Sequence, residues 1–127
     1  MGYVFLDSAF VIDYLLGDGG AVERLARAFA DGEQPMVNEI VVCEVRAGLR
    51  ERDVPAFMAL MEPTEFVQPG PDAAMRAGEW RNHARERGWV LSLGDSLIAA
   101  AAHSSDATVL TRNVRDFALT PARVESY

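Results

Sequence analysis

Short apolar runs recur along the chain, and they predict strands. The first covers residues 3–6 and ends directly at Asp7, with no turn residue between them. A continuous run of this kind is typical of a strand that is buried on both faces of a parallel sheet. We also predict strands over residues 35–38, 64–68 and 107–111, and a last edge strand over residues 123–126.

The segments between these runs favour helices. They predict helices over residues 9–16, 21–30, 39–50, 53–61 and 72–87, and a buried, closely packed helix that reaches Ala102 with Asp95 in its first turn. Strands that alternate with helices, and that are too apolar to face water, indicate a three-layer α/β/α domain with a central, mostly parallel sheet. We expect one domain over residues 1–127, because the chain has no repeat or linker.

The charge of the chain limits its chemistry. Twelve basic residues, all of them arginine, stand against nineteen acidic residues and give a net charge of −7. A protein that holds nucleic acid by bulk electrostatics has the opposite sign. The absence of lysine excludes a P-loop lysine and a Schiff base. His83 and His103 have no ligand-spaced partner and are expected on helix surfaces, so carboxylates are the main candidates for chemistry.

Cysteine content and hydropathy predict a cytoplasmic protein. Cys43 is the single cysteine, which excludes an internal disulfide and a cysteine-based metal cluster. No apolar run of the sequence is long enough to cross a bilayer. Met1 lies a few residues before the first predicted strand, which leaves no room for a signal peptide. We therefore expect no association with membranes.

Four acidic residues are candidates for a site because of their positions. Asp7 and Asp116 follow predicted strands, and Asp95 opens the buried helix. Helix capping is an equally good explanation of Asp7, and Asp95 could simply complement a helix dipole. Glu44 lies within the apolar stripe of its helix, where a carboxylate needs either a cation or a buried arginine partner.

These acids can converge, because the carboxyl ends of parallel strands lie at one edge of a sheet. Carboxylates that meet without lysine or histidine form a site for a hard divalent cation, Mg²⁺ or Mn²⁺. Such a cation polarises phosphoryl oxygens and lowers the pKa of a bound water. Phosphodiester hydrolysis is the reaction that this set of groups fits best.

Four segments of the chain together resemble the PIN-domain family. They are residues 4–8, 38–48, 93–100 and 109–117, and they occur in the family's order along the whole chain. The pattern is similar to that of bacterial ribonuclease toxins of the VapC type. The resemblance implies a PIN fold, an Mg²⁺- or Mn²⁺-dependent endoribonuclease acting on RNA, a VapB-type antitoxin as partner and, usually, a homodimer.

The resemblance also implies a set of site residues. By position, the first three acids of the family correspond to Asp7, Glu44 and Asp95. The fourth corresponds to Asp116 with Asn113 as a helper, while many relatives have an acid where this chain has Asn113. These four acids would be both catalytic residues and metal ligands. Ser8 and Thr111 could orient ligands or water, and a cap or a strand-end role explains them equally well.

Contacts to RNA are harder to assign from the sequence. Arg46, Arg112 and Arg115 could hold the RNA backbone locally, although the chain as a whole is acidic. Trp80 and Trp89 are expected to pack against the core or a helix, because aromatic and basic residues do not alternate as they do in base-stacking surfaces.

Two other functions stay open on the sequence alone. One is a catalytically idle PIN-like interaction module whose acidic pocket docks a partner's arginine. The other is a phospho-acceptor signalling domain, against which the absence of lysine argues. Metal-dependent cleavage of RNA by the purified chain separates the enzyme from the idle module.

Overall fold

The computed structural model describes residues 2–127, and Met1, the first residue of the predicted domain span, lies outside them. The strands of the described part are β1 (Tyr3–Leu6), β2 (Gln34–Val37), β3 (Glu65–Phe66), β4 (Ala107–Leu110) and β5 (Arg123–Glu125). They form one parallel sheet in the order β3-β2-β1-β4-β5. All five coincide with predicted strands. A single domain over residues 1–127 stays a prediction.

The helices of residues 2–127 connect these strands. They are α1 (Ser8–Leu15), α2 (Gly19–Ala30), α3 (Glu39–Gly48), α4 (Val54–Met61), α5 (Pro71–Glu86), α6 (Leu93–Ser104) and α7 (Val114–Phe117), with a 3-10 turn over Glu51–Asp53. The predictions include all of the α-helices except α7, and they do not include the 3-10 turn. Its four residues are too few to show a helical repeat in the sequence.

The order of the strands explains where the helices lie. The chain moves outward from β1 to β2 and β3, then crosses back past β1 to β4 and β5. With right-handed crossovers, α1 to α4 cover one face of the sheet and α5 to α7 cover the other. This confirms the predicted three-layer α/β/α class. The direction of winding reverses between β1 and β4, and open α/β sheets bind ligands at the carboxyl side of such a point.

The core lies between the sheet and both helical layers. The middle strands β1 and β4 are almost wholly buried, and Phe5, Phe10, Ile98 and Phe117 fill the space on either side. Four successive buried alanines, residues 99–102, let α6 pack closely, because their small side chains keep the distance between elements short. Among residues 2–127, no helix has the length and apolarity that crossing a bilayer requires.

Candidate active site

The end of β1 places Asp7 at the point where the winding of the sheet reverses. Leu6 of β1 pairs with Leu110 of β4, so the two strands end side by side. The buried Asp7 accepts hydrogen bonds from the backbone N–H of Ser8 (2.8 Å) and from the hydroxyl of Thr111 (2.6 Å). Asp7 thus caps α1 and also presents its carboxylate at the sheet edge, so both interpretations of this residue are compatible with the structure.

Glu44 reaches the same edge from α3. The hydroxyl of Ser8 donates a hydrogen bond to Glu44 Oε1 (2.5 Å). A Cβ at Gly94 would lie only 2.9 Å from Glu44 Oε2, so α6 approaches the carboxylate closely because residue 94 is glycine. Glu44 is exposed, and no arginine of residues 2–127 pairs with it. The expectation of an inward-pointing Glu44 in an apolar stripe is therefore wrong. Its helix turns this residue toward the site.

Asn113 connects the last two acids. Its Nδ2 donates to Asp95 Oδ2 (3.0 Å) and to Asp116 Oδ2 (3.0 Å). The hydroxyl of Thr111 in turn accepts the backbone N–H of Asn113 (2.9 Å), which ties this loop to the end of β4. One amide group thus holds both carboxylates, and the helper role of Asn113 stays a prediction.

The acids influence one another electrostatically. Burial raises the pKa of Asp95 to about 6, and the negative charges of Asp7, Asp116 and Glu44 add to the shift. Burial also raises the pKa of Asp7, with a smaller contribution from Glu44, while the Thr111 hydroxyl and the Ser8 amide oppose the shift. The four predicted acids therefore lie close enough to form one shared site of negative potential.

Local sequence explains why α6 and α3 start at this edge. Ser92 accepts the backbone N–H of Asp95 (3.1 Å), and Asn38 accepts that of Val41 (3.2 Å), so both residues are N-caps. The Asn38 amide also donates to the carbonyl of Leu97 (3.3 Å), which joins α3 to α6. Sequence reasoning missed Ser92 and Asn38 as positioning residues. Their signal was a capping residue just before a helix.

The donor set suits a hard divalent cation that keeps part of its water. Among residues 2–127, no group of three or more Asp, Glu, His or Cys side chains is placed so that it could hold a metal ion. Mg²⁺ usually binds through one or two carboxylates and keeps several waters. Burial is the main cause of the raised pKa of Asp95, and such a cation would relieve the smaller contribution that comes from the neighbouring negative charges. Carboxylate and water oxygens are hard ligands, so this set of donors fits Mg²⁺ or Mn²⁺.

Two of the three arginines predicted to contact RNA form ion pairs with acids. Arg46 pairs with Glu51 (2.7 Å), and Arg112 pairs with Asp13 (2.8 Å). The third, Arg115, lies over the ring of Trp89 at 5.6 Å from its centroid.

The two tryptophans differ in their surroundings. Trp80 packs edge-on against His103, with 5.8 Å between the ring centroids, and is partly buried. Trp89 is 46% exposed, so the prediction that it is a packing residue is wrong. His83 and His103 are exposed on helices, as predicted.

Comparison with known proteins gives a consistent result. The PIN domain family matches residues 4–122. Ribonuclease VapC19 of Mycobacterium tuberculosis is 32% identical over 116 residues, which cover 91% of this chain and 93% of that protein. A toxin–antitoxin complex from Klebsiella pneumoniae contains a chain that is 27% identical, with a TM-score of 0.76 and coverage of 96% and 95%. VapBC2 of Rickettsia felis, solved with a promoter DNA fragment, gives a TM-score of 0.86 at 19% identity and 98% coverage of both chains, which is a likeness in fold.

Proposed function

The chain belongs to the PIN domain family, and from this premise we propose that it is an endoribonuclease and the toxin of a VapBC-type toxin–antitoxin pair. The proposed reaction is hydrolysis of RNA phosphodiester bonds with Mg²⁺ or Mn²⁺ as cofactor. The similarity to Ribonuclease VapC19 supports RNA as the substrate. The observation that carries the proposal is the set of acids around Asp95: burial of Asp95, and then the charges of these acids, raise its pKa to about 6.

We assign Asp7, Glu44, Asp95 and Asp116 as catalytic residues and metal ligands. Thr111 and Ser8 orient the carboxylate of Asp7, and Asn113 holds Asp95 beside Asp116. A divalent cation would supply the positive charge that offsets charge developing on the phosphoryl oxygens. Glu44 is the exposed member, and at the solvent side of the site it can orient or deprotonate an attacking water.

Cleavage of RNA by the purified chain tests this function. We expect activity with Mn²⁺ and none in EDTA. Asp95→Asn and Asp7→Asn should each abolish cleavage and leave the circular-dichroism spectrum folded, because the amide keeps the shape and removes an anionic ligand.

Asp106→Asn is the matched control. Asp106 is exposed at the amino end of β4, on the opposite sheet edge, and its φ of 54° is one that asparagine also tolerates. This variant should cleave like the wild type. A folded wild-type chain that leaves RNA intact with either metal would favour the idle interaction module. If both site variants lose the circular-dichroism spectrum of a folded protein, these acids are required for the fold and not specifically for catalysis.

The proposed antitoxin has an apolar groove available to it. The groove lies between the first two helices and α4, and it is lined by Tyr14, Leu15, Val22, Phe29, Ala56, Ala59, Leu60 and Pro63. Beside these residues in the sequence, Leu16 and Met58 are 69% and 63% exposed. We propose that an apolar segment of the antitoxin covers this surface, as exposed apolar patches of this kind mark protein interfaces.

The biological role can be tested by induced expression. Expression of the chain alone should arrest growth and alter the RNA profile, and a cognate antitoxin should restore both. One route to inhibition is an antitoxin arginine placed among the carboxylates. We further propose that the toxin is a homodimer, which light scattering of the purified chain would measure directly. Unchanged growth and RNA profiles with intact, folded chain would count against the toxin role.

A further inference from the structure

The loop between α5 and α6 presents an exposed aromatic surface close to the acids. Trp89 is 46% exposed, and its neighbour Val90 is 85% exposed. The guanidinium carbon of Arg115 lies 5.6 Å from the centroid of the Trp89 ring, a cation–π contact that holds the indole in place. A large aromatic side chain left open to solvent in this way is available to a ligand.

Arginines without acid partners surround this tryptophan. Arg81 and Arg85 line a cleft of about 270 Å³ together with residues 89–91. The Nε of Arg81 donates to the carbonyl of Leu91 (3.1 Å), which fixes the loop to α5. No acid of residues 2–127 forms an ion pair with Arg81, Arg85 or Arg115.

The lack of partners is notable because the chain is rich in acids. Its net charge is −7, and six of its twelve arginines contact a carboxylate. Outside this cleft, Arg52, Arg76 and Arg87 also form no ion pair within residues 2–127. Positive charge therefore remains uncompensated at the Trp89 cleft. A polyanion is the ligand that this arrangement complements.

The residues around the cleft are neighbours of the acids along the chain. Arg115 directly precedes Asp116 on α7, and the loop that carries Trp89 leads into Asp95 at the start of α6. Leu93, between Trp89 and Asp95, is exposed, as is Val114 beside Asn113. The indole and the acids therefore belong to adjoining segments, and one bound strand of nucleic acid is the ligand that would contact both.

We propose that Trp89, with Arg81, Arg85 and Arg115, is a platform that binds single-stranded RNA beside the scissile phosphate: a base stacks on the indole and the arginines contact flanking phosphates. Aromatic side chains stack on any base, and arginines that track the backbone complete such sites. The proposal rests on the function proposed above, since it makes the ligand of this surface a segment of the RNA substrate. A protein ligand without negative charge is less suited to two unpaired guanidinium groups in the cleft and a third over the indole.

Tryptophan fluorescence tests the stacking step. In a Trp80→Phe background, Trp89 is the remaining tryptophan, and titration with a short oligouridine in EDTA excludes cleavage. We expect saturable quenching. Trp89→Ala, followed by fluorescence anisotropy of labelled RNA, should weaken binding on the order of tenfold, whereas Trp89→Phe should retain most of it because a ring remains.

The arginines are tested by the salt dependence of binding. Arg85→Gln and Arg115→Gln should each reduce the slope of log K against log salt by about 0.7, the value for one phosphate contact with a single strand. Arg123→Gln is the matched control, because Arg123 pairs with Asp106 at the opposite edge of the sheet. It should leave the slope unchanged. If Trp89→Ala does not fold, these slopes decide the question.

Activity assays distinguish failure of the proposed RNA platform from failure of the proposed ribonuclease function. With Mn²⁺, Trp89→Ala should raise KM about tenfold and leave kcat nearly unchanged. If the wild type cleaves RNA and Trp89→Ala has the same KM and the same RNA affinity as the wild type, the platform is overturned and the ribonuclease function stands. Saturable quenching by RNA in a chain that cleaves nothing would support the platform and overturn the enzyme. A Trp89 signal that follows protein concentration and ignores RNA would make the surface an interface between copies of the chain, and would overturn the proposal.

Discussion

Among single residues, Asp95 shows how the site lowers the stability of the metal-free protein. Burial, followed by the charges of Asp7, Asp116 and Glu44, raises its pKa from 3.8 to about 6. A raised acid pKa contributes stability below the unfolded value, and this contribution is lost as the pH rises through the folded pKa. At neutral pH the charged Asp95 is therefore unfavourable for folding. The same repulsion makes a bound cation favourable.

Asp95→Asn should accordingly melt at or above the wild type in EDTA at neutral pH. The gain is about 1 kcal/mol, since Asp95 is partly exposed and solvent screens the repulsion. It should shrink as the pH falls from about 6 toward about 4. Saturating Mn²⁺ should stabilise the wild type, by about 2.7 kcal/mol at a hundred times the dissociation constant, and the variant much less. Thermal melts in both conditions measure this.

Asp106→Asn serves as the control for these melts. The Arg123 guanidinium lowers the pKa of Asp106, so removing this charge cannot stabilise the protein in the same way. A cap or salt-bridge role for Asp95 predicts that Asp95→Asn melts below the wild type at every pH. An equal Mn²⁺ shift in wild type and Asp95→Asn would show that Asp95 is not a ligand.

Gly94 is a second single residue on which the site depends. A Cβ there would lie 2.9 Å from Glu44 Oε2 and 3.5 Å from Ile40 Cγ2. Gly94→Ala should displace the flexible end of Glu44 at little cost in stability and reduce kcat clearly. Gly78→Ala on α5, where a Cβ meets nothing within 4 Å, is the matched control and should gain about 0.5–1 kcal/mol. Melting curves and cleavage rates measure both variants, and an unchanged kcat in Gly94→Ala would mean that the position of Glu44 is unimportant.

Among the helices and strands, the starts of the helices carry the site. Asp7 caps α1, Asn38 caps α3 and Ser92 caps α6, all at the carboxyl edge of the sheet. The short α7 contributes Asp116 and turns Arg115 toward Trp89. None of the four acids lies among the residues that line the apolar groove. The proposed catalytic site and the proposed antitoxin groove therefore share only α1, at its opposite ends, and otherwise use different helices.

Substitution in the groove should separate these two functions. Leu16→Glu and Met58→Glu each place a charge beside an apolar surface that the antitoxin is proposed to bury. They should weaken antitoxin binding by at least about tenfold, because the new carboxylate either loses its hydration or keeps the two apolar surfaces apart. Cleavage by the free toxin should not change. Calorimetric titration with the antitoxin and a cleavage assay give the two readouts, and Met75→Glu, exposed on α5, is the control. If the antitoxin still fully inhibits both groove variants, it binds to a different surface of the toxin.

For the whole molecule, the sequence predicts the secondary structure and the fold class better than the orientation of side chains. Largely apolar runs predict β1, β2 and β4, while β3 and β5 are predicted from shorter segments that contain charged residues. Asp7 at the end of the first run identifies the edge where the acids converge. The orientation of Glu44 and the exposure of Trp89 depend on which neighbours cover them, and the hydrophobic pattern of one helix or loop does not contain this information. The pairing of Arg46 and Arg112 with acids likewise follows from tertiary structure.

Arg24 links distant parts of the chain. It is only 5% exposed, its Nε bonds to Glu125 Oε2 (2.6 Å) and its Nη1 bonds to Glu33 Oε1 (2.9 Å). This joins α2 to the segment before β2 and to the edge strand β5. The carbonyl of Glu125 also accepts the backbone N–H of Thr111 (3.1 Å), so the anchored strand supports the loop that holds Asp7.

Arg24→Met should therefore destabilise the fold and loosen the site together. Removing one partner of a fully buried pair costs about 3–5 kcal/mol, and here about 2 kcal/mol is expected because both carboxylates are partly hydrated. Arg24→Met combined with Glu125→Gln should recover part of this loss, since the two substitutions remove one interaction. Arg123→Gln, which breaks an exposed pair, should cost less than about 1 kcal/mol. Denaturant melts measure the free energies, and hydrogen exchange at the Thr111 amide reports on β5. Strictly additive losses in the double variant, or unchanged exchange at Thr111, would show that Arg24 does not anchor the strand.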